Sequence, residues 1–152
     1  MDEHIDPLII GDDLRTREAH LHIWSEVVDG LNEGIVVTGL DGTILDCNPA
    51  FERITGYSRE EVLGQSPRIL QSGRTPLETF AALWTALTRG QPWKGEFVNR
   101  RKDGSEYIEF AHLAPLRQPD GTITHYIAVK EDITEKKRLG EELDRHRHHL
   151  EE

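Results

Sequence analysis

Residues 97–133 read FVNRRKDGSEYIEFAHLAPLRQPDGTITHYIAVKEDI. Three β-prone runs stand in this stretch: one around Phe97, one from Tyr107 to Leu113, and one from Ile123 to Val129. β-Branched and aromatic side chains suit a pleated, half-buried surface. Asp103-Gly104 and Asp120-Gly121 separate the runs, and such dipeptides mark tight reversals between strands. The spacing predicts an antiparallel meander of three strands.

Upstream, the period changes. Thr75-Pro76-Leu77-Glu78 opens a helix whose apolar positions are Leu77, Phe80, Ala81, Trp84 and Leu87, with Gly90 and Pro92 as its stop. The stretch from Gly64 to Gly73 is turn-rich. Before it, Gly34-Ile35-Val36-Val37-Thr38 and Thr43-Ile44-Leu45-Asp46-Cys47 flank Asp41-Gly42, a hairpin signal. Asn48-Pro49 then starts a short helix, with the asparagine as cap and proline in the first turn. Ser58-Arg59-Glu60-Glu61 has the spacing of a capping box. Residues 1–11 show no period and are expected to be a flexible leader. Residues 12–31 carry Leu14, Leu21, Trp24, Val28 and Leu31 at helical spacing, so an amphipathic helix is predicted there, capped by Asp12 or Asp13.

Downstream of Thr134 the composition turns to Glu, Lys, Arg, His and Leu. Leu139, Leu143, His146 and Leu150 fall at the four-three-four spacing of a short coiled-coil seam. The pattern stops without a glycine cap and is read as a piece of a longer protein. All five strands can join one antiparallel sheet with helices on one face, an α+β fold with a pocket between helices and sheet. The organisation expected is leader 1–11, helix 12–31, a compact domain 32–133 and a C-terminal helix 134–152.

Bulk composition narrows the function. The 152 residues carry 28 acidic and 18 basic side chains, a net charge of -10, which argues against a nucleic-acid partner because phosphate binding needs a basic stripe. One cysteine, Cys47, rules out an internal disulfide and fits a reducing compartment. No apolar run approaches the ~20 residues of a membrane helix, and the acidic N-terminus is unlike a secretory signal. A cytoplasmic location without membrane insertion is expected.

Taken in order, several short pieces resemble the PAS domain superfamily over residues 24–137. They are Gly34-Ile35-Val36-Val37-Thr38, Asp41-Gly42-Thr43-Ile44, Asn48-Pro49-Ala50-Phe51, Thr55-Gly56-Tyr57, Glu60-Glu61-Val62-Leu63-Gly64, Arg101-Lys102-Asp103-Gly104 and Glu131-Asp132-Ile133-Thr134. The resemblance implies a five-stranded antiparallel sheet and a pocket for heme, flavin, a small acid or nothing. It also implies a relay to a histidine kinase or cyclic-dinucleotide enzyme through the last helix. Asp132 and Thr134 match the family's junction between last strand and output helix.

Two branches of the family bear on the ligand. In light-oxygen-voltage photoreceptors a reactive cysteine stands where this chain has Pro67, and flavin contacts stand where it has Glu109 and Lys130. Adduct formation needs a nucleophilic sulfur, so that photochemistry is rejected. The second branch, flavin-binding redox-sensing PAS domains, is more similar. It shares Ile69-Leu70, Ser72-Gly73, Thr75-Pro76, Ala82-Leu83-Trp84, Pro92-Trp93 and Val98-Asn99-Arg100-Arg101-Lys102-Asp103. This resemblance implies FAD, with Arg68, Ile69, Leu70, Trp84, Asn99 and Glu109 at the cofactor. An amide can pair with a flavin carbonyl and ring NH, and an indole can pack on the ring. Pro67 departs here too, replacing a carboxylate.

Plainer readings stay open. Trp84 suits a core stripe, Asn99 a strand-edge amide, and Arg100-Arg101-Lys102 a solvated hairpin. Heme would need His112 or His125, both on predicted strands. Arg145-His146-Arg147-His148-His149 lacks the ligands to complete a metal site and reads as a solvated linker. No phosphate loop or nucleophile–base set is present, so no enzymatic activity is expected. The functional expectation is a sensor of redox state or a small ligand, homodimeric through its flanking helices and joined to an output domain. The alternative is a cofactor-free PAS module for dimerisation and protein interaction.

Overall fold

Successive side chains of a strand point to opposite faces, so every second residue of each run above should turn to a common interior. The protein's structure is a computed structural model describing residues 7–151, without the side chains of residues 7–15, 24, 28, 29 and 151. The meander forms as β3 (Trp93–Arg100), β4 (Glu106–Arg117) and β5 (Ile123–Asp132), and the hairpin as β1 (Gly34–Thr38) and β2 (Ile44–Cys47). All pairings are antiparallel. β1 pairs with β5, far along the chain, and the sheet order is β2-β1-β5-β4-β3. The α+β fold with a five-stranded antiparallel sheet is the one expected.

Local signals place the connecting helices. Asn48 caps α2 (Pro49–Thr55): its Oδ1 accepts from the Phe51 amide and, at 2.8 Å, from Ile35 of β1, while its Nδ2 donates to Glu33 O. One buried amide thus satisfies a helix end and a strand end together, which loop polar groups cannot do without water or a partner. Gly56 ends α2 at φ 78, a left-handed conformation costly for any residue with a Cβ. The Ser58–Glu61 capping box opens α3 (Arg59–Val62) with both of its hydrogen bonds present. Pro67–Leu70 forms a 3-10 turn, α4 spans Leu77–Thr88, and α5 spans Thr134–Glu151.

Two apolar clusters fill the space between sheet and helices. Val36, Ile44, Phe51, Val62, Leu70 and Ala128 form one. Leu83, Leu87, Phe97, Ala111 and Tyr126 form the other. Burying a large apolar side chain fully contributes about 1.5–3 kcal/mol from area removed from water.

The structure revises three expectations. Helix α1 runs from Pro7 to Gly30, so ordered helix begins within the predicted leader; proline, with φ already set, is at home in a first turn. Of the predicted α1 stripe, Leu21 is 69% exposed, and the side chains of Leu14, Trp24 and Val28 lie outside the described residues. The inward face of α4 is centred on Leu83 and Leu87 with Phe80 beside them, not on Leu77, which is 81% exposed. Packing decides the face: Leu83 and Leu87 cluster with Phe97, Ala111 and Tyr126 of the sheet, and the helix itself starts after Pro76 with no side-chain cap. Thr75, just ahead of α4, bonds Val98 of β3, accepting from its amide at 2.9 Å. The chain divides at Leu31 into two units. The sheet, its cavity and α5 all belong to the second, which begins at Asn32.

Candidate ligand cavity and helix junction

The alternation that builds the core also builds a cavity. Val36 and Thr38 on β1, Phe97 and Asn99 on β3, Glu109 and Leu113 on β4, and Tyr126, Ala128 and Lys130 on β5 all line one space of about 350 Å³. Members of each set are separated by even numbers of residues, so one face of the sheet supplies them all. Phe80, Leu83, Trp84 and Leu87 of α4 form the facing wall, and Pro67 and Arg68 of the 3-10 turn a third side. The size lies within the range of small-molecule pockets.

One end of this space is polar. Glu109 is 1% exposed, Asn99 5% and Lys130 8%. The Lys130 ammonium stands 3.5 Å from Glu109 Oε2, yet that oxygen accepts no hydrogen bond among the described residues. Its companion Oε1 receives only a long contact, 3.4 Å, from the Tyr107 hydroxyl. Tyr107 is buried and also meets the Asn99 side chain. Burial first, then the Glu109 carboxylate, push its phenol well above the usual range, so it remains a donor at neutral pH.

Of the residues singled out in the sequence, Arg68, Trp84, Asn99 and Glu109 line the cavity. Trp84 sits at its rim, 43% exposed. Ile69 and Leu70 do not line it: the 3-10 turn points Leu70 into the core and Ile69 against it. In the sequence, Lys130 stands out only as a departure from photoreceptors. The signal for its place in the cavity is parity, two residues beyond Ala128 and four beyond Tyr126. Cys47 lies outside the lining, half-buried at the end of β2; burial, then Glu52 and Asp46, push its thiol up to about 11. His112 is exposed and His125 bonds Thr124, and neither lines the cavity. No cluster of three metal-ligating side chains occurs among the described residues.

At the end of the sheet, Arg101 joins three elements. The solvated reading of Arg100-Arg101-Lys102 holds for Arg100 and Lys102, which are exposed, and fails for Arg101, which is half-buried. Its Nη1 donates to Ile54 O at 2.6 Å, closing on α2. Its Nη2 pairs with Asp132 Oδ2 at 2.9 Å, and its guanidinium lies 4.5 Å over the Tyr107 ring. The other oxygen of Asp132 accepts from the Thr134 amide and hydroxyl, at 3.0 and 2.6 Å. Thr134 Oγ1 in turn accepts from the Ile108 amide at 2.8 Å. The start of α5 is therefore fastened both to β4 and, through Arg101, to α2.

Burial pulls the Asp132 carboxyl upward, but bonds from Thr134 and Arg101 outweigh it and hold the group below the ordinary aspartate range. A depressed folded value contributes stability that is complete above the unfolded value, about 3.9, and is lost as pH falls through the folded one. Protection of the Thr134 amide is therefore expected to be flat from pH 7 to about 4.5 and to fall below about pH 4. An Asp132→Asn variant should show weak protection throughout, with the acid step gone. Amide exchange followed by NMR across that range checks both.

A sheet in the order β2-β1-β5-β4-β3, helices over one face and a polar-ended cavity beneath them define a sensory-domain architecture. The chain belongs to the PAS domain family, whose profile matches residues 32–135. It is 35% identical over 129 residues to a nitrogen fixation regulatory protein of Klebsiella oxytoca, a match covering 85% of this chain and 26% of that protein. The chain thus spans about a quarter of that relative's length. Among solved structures, an RNA-binding light-oxygen-voltage receptor superposes with a TM-score of 0.73 at 28% identity, covering 95% of this chain and 39% of that one. A light-oxygen-voltage domain studied with a flavin analogue gives 0.64 at 28% identity, over 74% of this chain and 88% of that one. These relatives are regulatory and sensory proteins. No helix among the described residues is long and apolar enough to cross a membrane.

Proposed function

We propose that the chain is the sensory module of a larger signalling protein, that it holds FAD in the cavity, and that it passes the flavin's state through α5 to an output domain of histidine kinase or cyclic-dinucleotide type. The observation that carries the reading is the buried Glu109 oxygen with no hydrogen bond among the described residues, 3.5 Å from the Lys130 ammonium in a cavity that the Asn99 amide also lines. A cavity end that offers an acceptor together with donors suits the edge of a flat imide, where an N–H lies between two carbonyls. The pyrimidine ring of a flavin presents such an edge, and the apolar and aromatic wall of Phe80, Leu83, Trp84 and Phe97 suits its ring system. Bound flavin would supply a redox centre and a chromophore. The residues present fit that group except at Pro67, which lines the cavity and offers neither sulfur nor carboxylate.

Similarity to flavin-related light-oxygen-voltage structures supports the same ligand class but not its photochemistry, since no thiol lines the cavity among the described residues. Pairing as a homodimer belongs to the proposal: Leu139, Leu143 and Leu150 stand 51%, 51% and 70% exposed along α5. An absorbance spectrum of freshly purified protein tests the ligand. A flavin spectrum is expected, with FAD released on denaturation. Protein that is colourless as isolated and stays colourless after incubation with FAD would remove the flavin reading. The cofactor-free interaction module would then be left, for which the exposed α5 leucines are the supporting observation.

A further inference from the structure

The Glu109 carboxylate stands between two protein donors and the cavity. On the protein side are the Tyr107 hydroxyl, 3.4 Å from Oε1, and the Lys130 ammonium, 3.5 Å from Oε2. Both contacts are long beside the ~2.5–2.9 Å of ordinary charge-assisted bonds. On the other side is the cavity, which Glu109 lines and where Oε2 lacks a partner among the described residues. A buried acceptor so poorly satisfied moves toward whatever donor the cavity offers. Whether the cavity is occupied thus decides how firmly Glu109 holds the Tyr107 hydroxyl.

Tyr107 has a second engagement. It is 1% exposed, its hydroxyl on Glu109 and its ring face under Arg101, whose charge centre is 4.5 Å from the ring centroid. Arg101 also donates to Ile54 O and to Asp132. A guanidinium is a rigid planar fork, so a tilt of the ring beneath it alters its aim at the carboxylate that caps α5. The chain of contacts runs without a gap from the cavity to Thr134.

We infer that Tyr107 and Arg101 are the positioning residues that couple occupancy of the cavity to the closed state of the α5 cap. This rests on the reading of the chain as a sensor and names the route of its regulation; it does not require the ligand to be flavin. The two states are the closed cap and a locally opened one, the kind of low-energy opening that amide exchange reports. A ligand that engages Glu109 differently in the two states shifts their balance.

The test uses the 152-residue chain and no ligand. Exchange is measured at the Thr134 and Ile108 amides, which close the cap, and at Ala128 in the middle of the sheet as a monitor of global opening. Glu109→Gln is expected to change exchange at Thr134 and Ile108 by at least about threefold relative to Ala128. In a Tyr107→Phe background, which keeps the ring under Arg101 but removes the hydroxyl, the same substitution is expected to add nothing. Arg101→Lys, which keeps the charge but loses the fork, should uncouple the two ends as well and serves if Tyr107→Phe does not fold. No change at the cap in Glu109→Gln, or a change that persists undiminished in both backgrounds, would overturn the proposal. Because neither readout involves a chromophore, its failure leaves the flavin reading standing, and a colourless protein leaves this one standing.

Discussion

Lys130→Met is expected to lower the unfolding free energy by roughly 3–5 kcal/mol, the usual consequence of stranding one partner of a buried ion pair. The pair is deep: Lys130 is 8% exposed and Glu109 1%. Methionine fills the lysine stem's space but brings no charge. The buried Glu109 carboxylate would then keep its charge with no cation beside it and only the long Tyr107 contact to hold it. Adding Glu109→Gln to Lys130→Met should recover most of the loss, because the double variant buries no unpaired charge. Urea unfolding curves for the two single variants and the double one decide the matter. A loss under about 1 kcal/mol in Lys130→Met, the value of a solvated pair, would show that water reaches the site freely.

The second large effect lies beside the first. Phe51→Ala should destabilise by about 3–5 kcal/mol through lost burial and the void left behind. Phe51 is 1% exposed and packs with Val36, Ile44, Val62 and Leu70. Collapse around the void is resisted because α2 already lies as close to β1 as it can. A Cβ added at Gly34 would come within 3.2 Å of the Phe51 Cα. On α4, Leu77→Ala should cost under about 0.5 kcal/mol, as for an ordinary surface change, since Leu77 is 81% exposed. Thermal or urea unfolding of the pair checks both this contrast and the revised facing of α4. Phe51 lies 5.9 Å from the Lys130 ammonium, so Phe51→Ala and Lys130→Met will not combine additively.

The output junction shows how local and distant information meet. Asp132 and Thr134 are two residues apart and bond each other directly, so spacing alone points to a helix start. Their tether does not lie nearby. Arg101 is 31 residues from Asp132 and 47 from Ile54, and in the sequence it sits between two cations that stay in solvent. Composition therefore favours a solvated run, whereas the sheet register singles out the middle member. Asn99 pairs with Tyr107 and Glu109 with Asp132, which brings Arg101, Tyr107 and Asp132 to the same end of the same face.

The same division runs through the whole molecule. Strand alternation, Asp-Gly turns, the Asn48 and Ser58 caps and the leucine spacing of α5 are interactions among residues a few positions apart. Propensity and hydrogen-bonding chemistry express them wherever the chain goes. They determine the elements, their order and the choice of an α+β fold with an antiparallel sheet. What folding alone decided are relations between elements: that β1 joins β5 at the centre of the sheet, that α4 turns Leu83 inward and leaves Leu77 out, and that Leu70 belongs to the core while Glu109 and Lys130 share a cavity. These depend on packing many side chains at once, and the energy of a buried charge has no value until its surroundings exist.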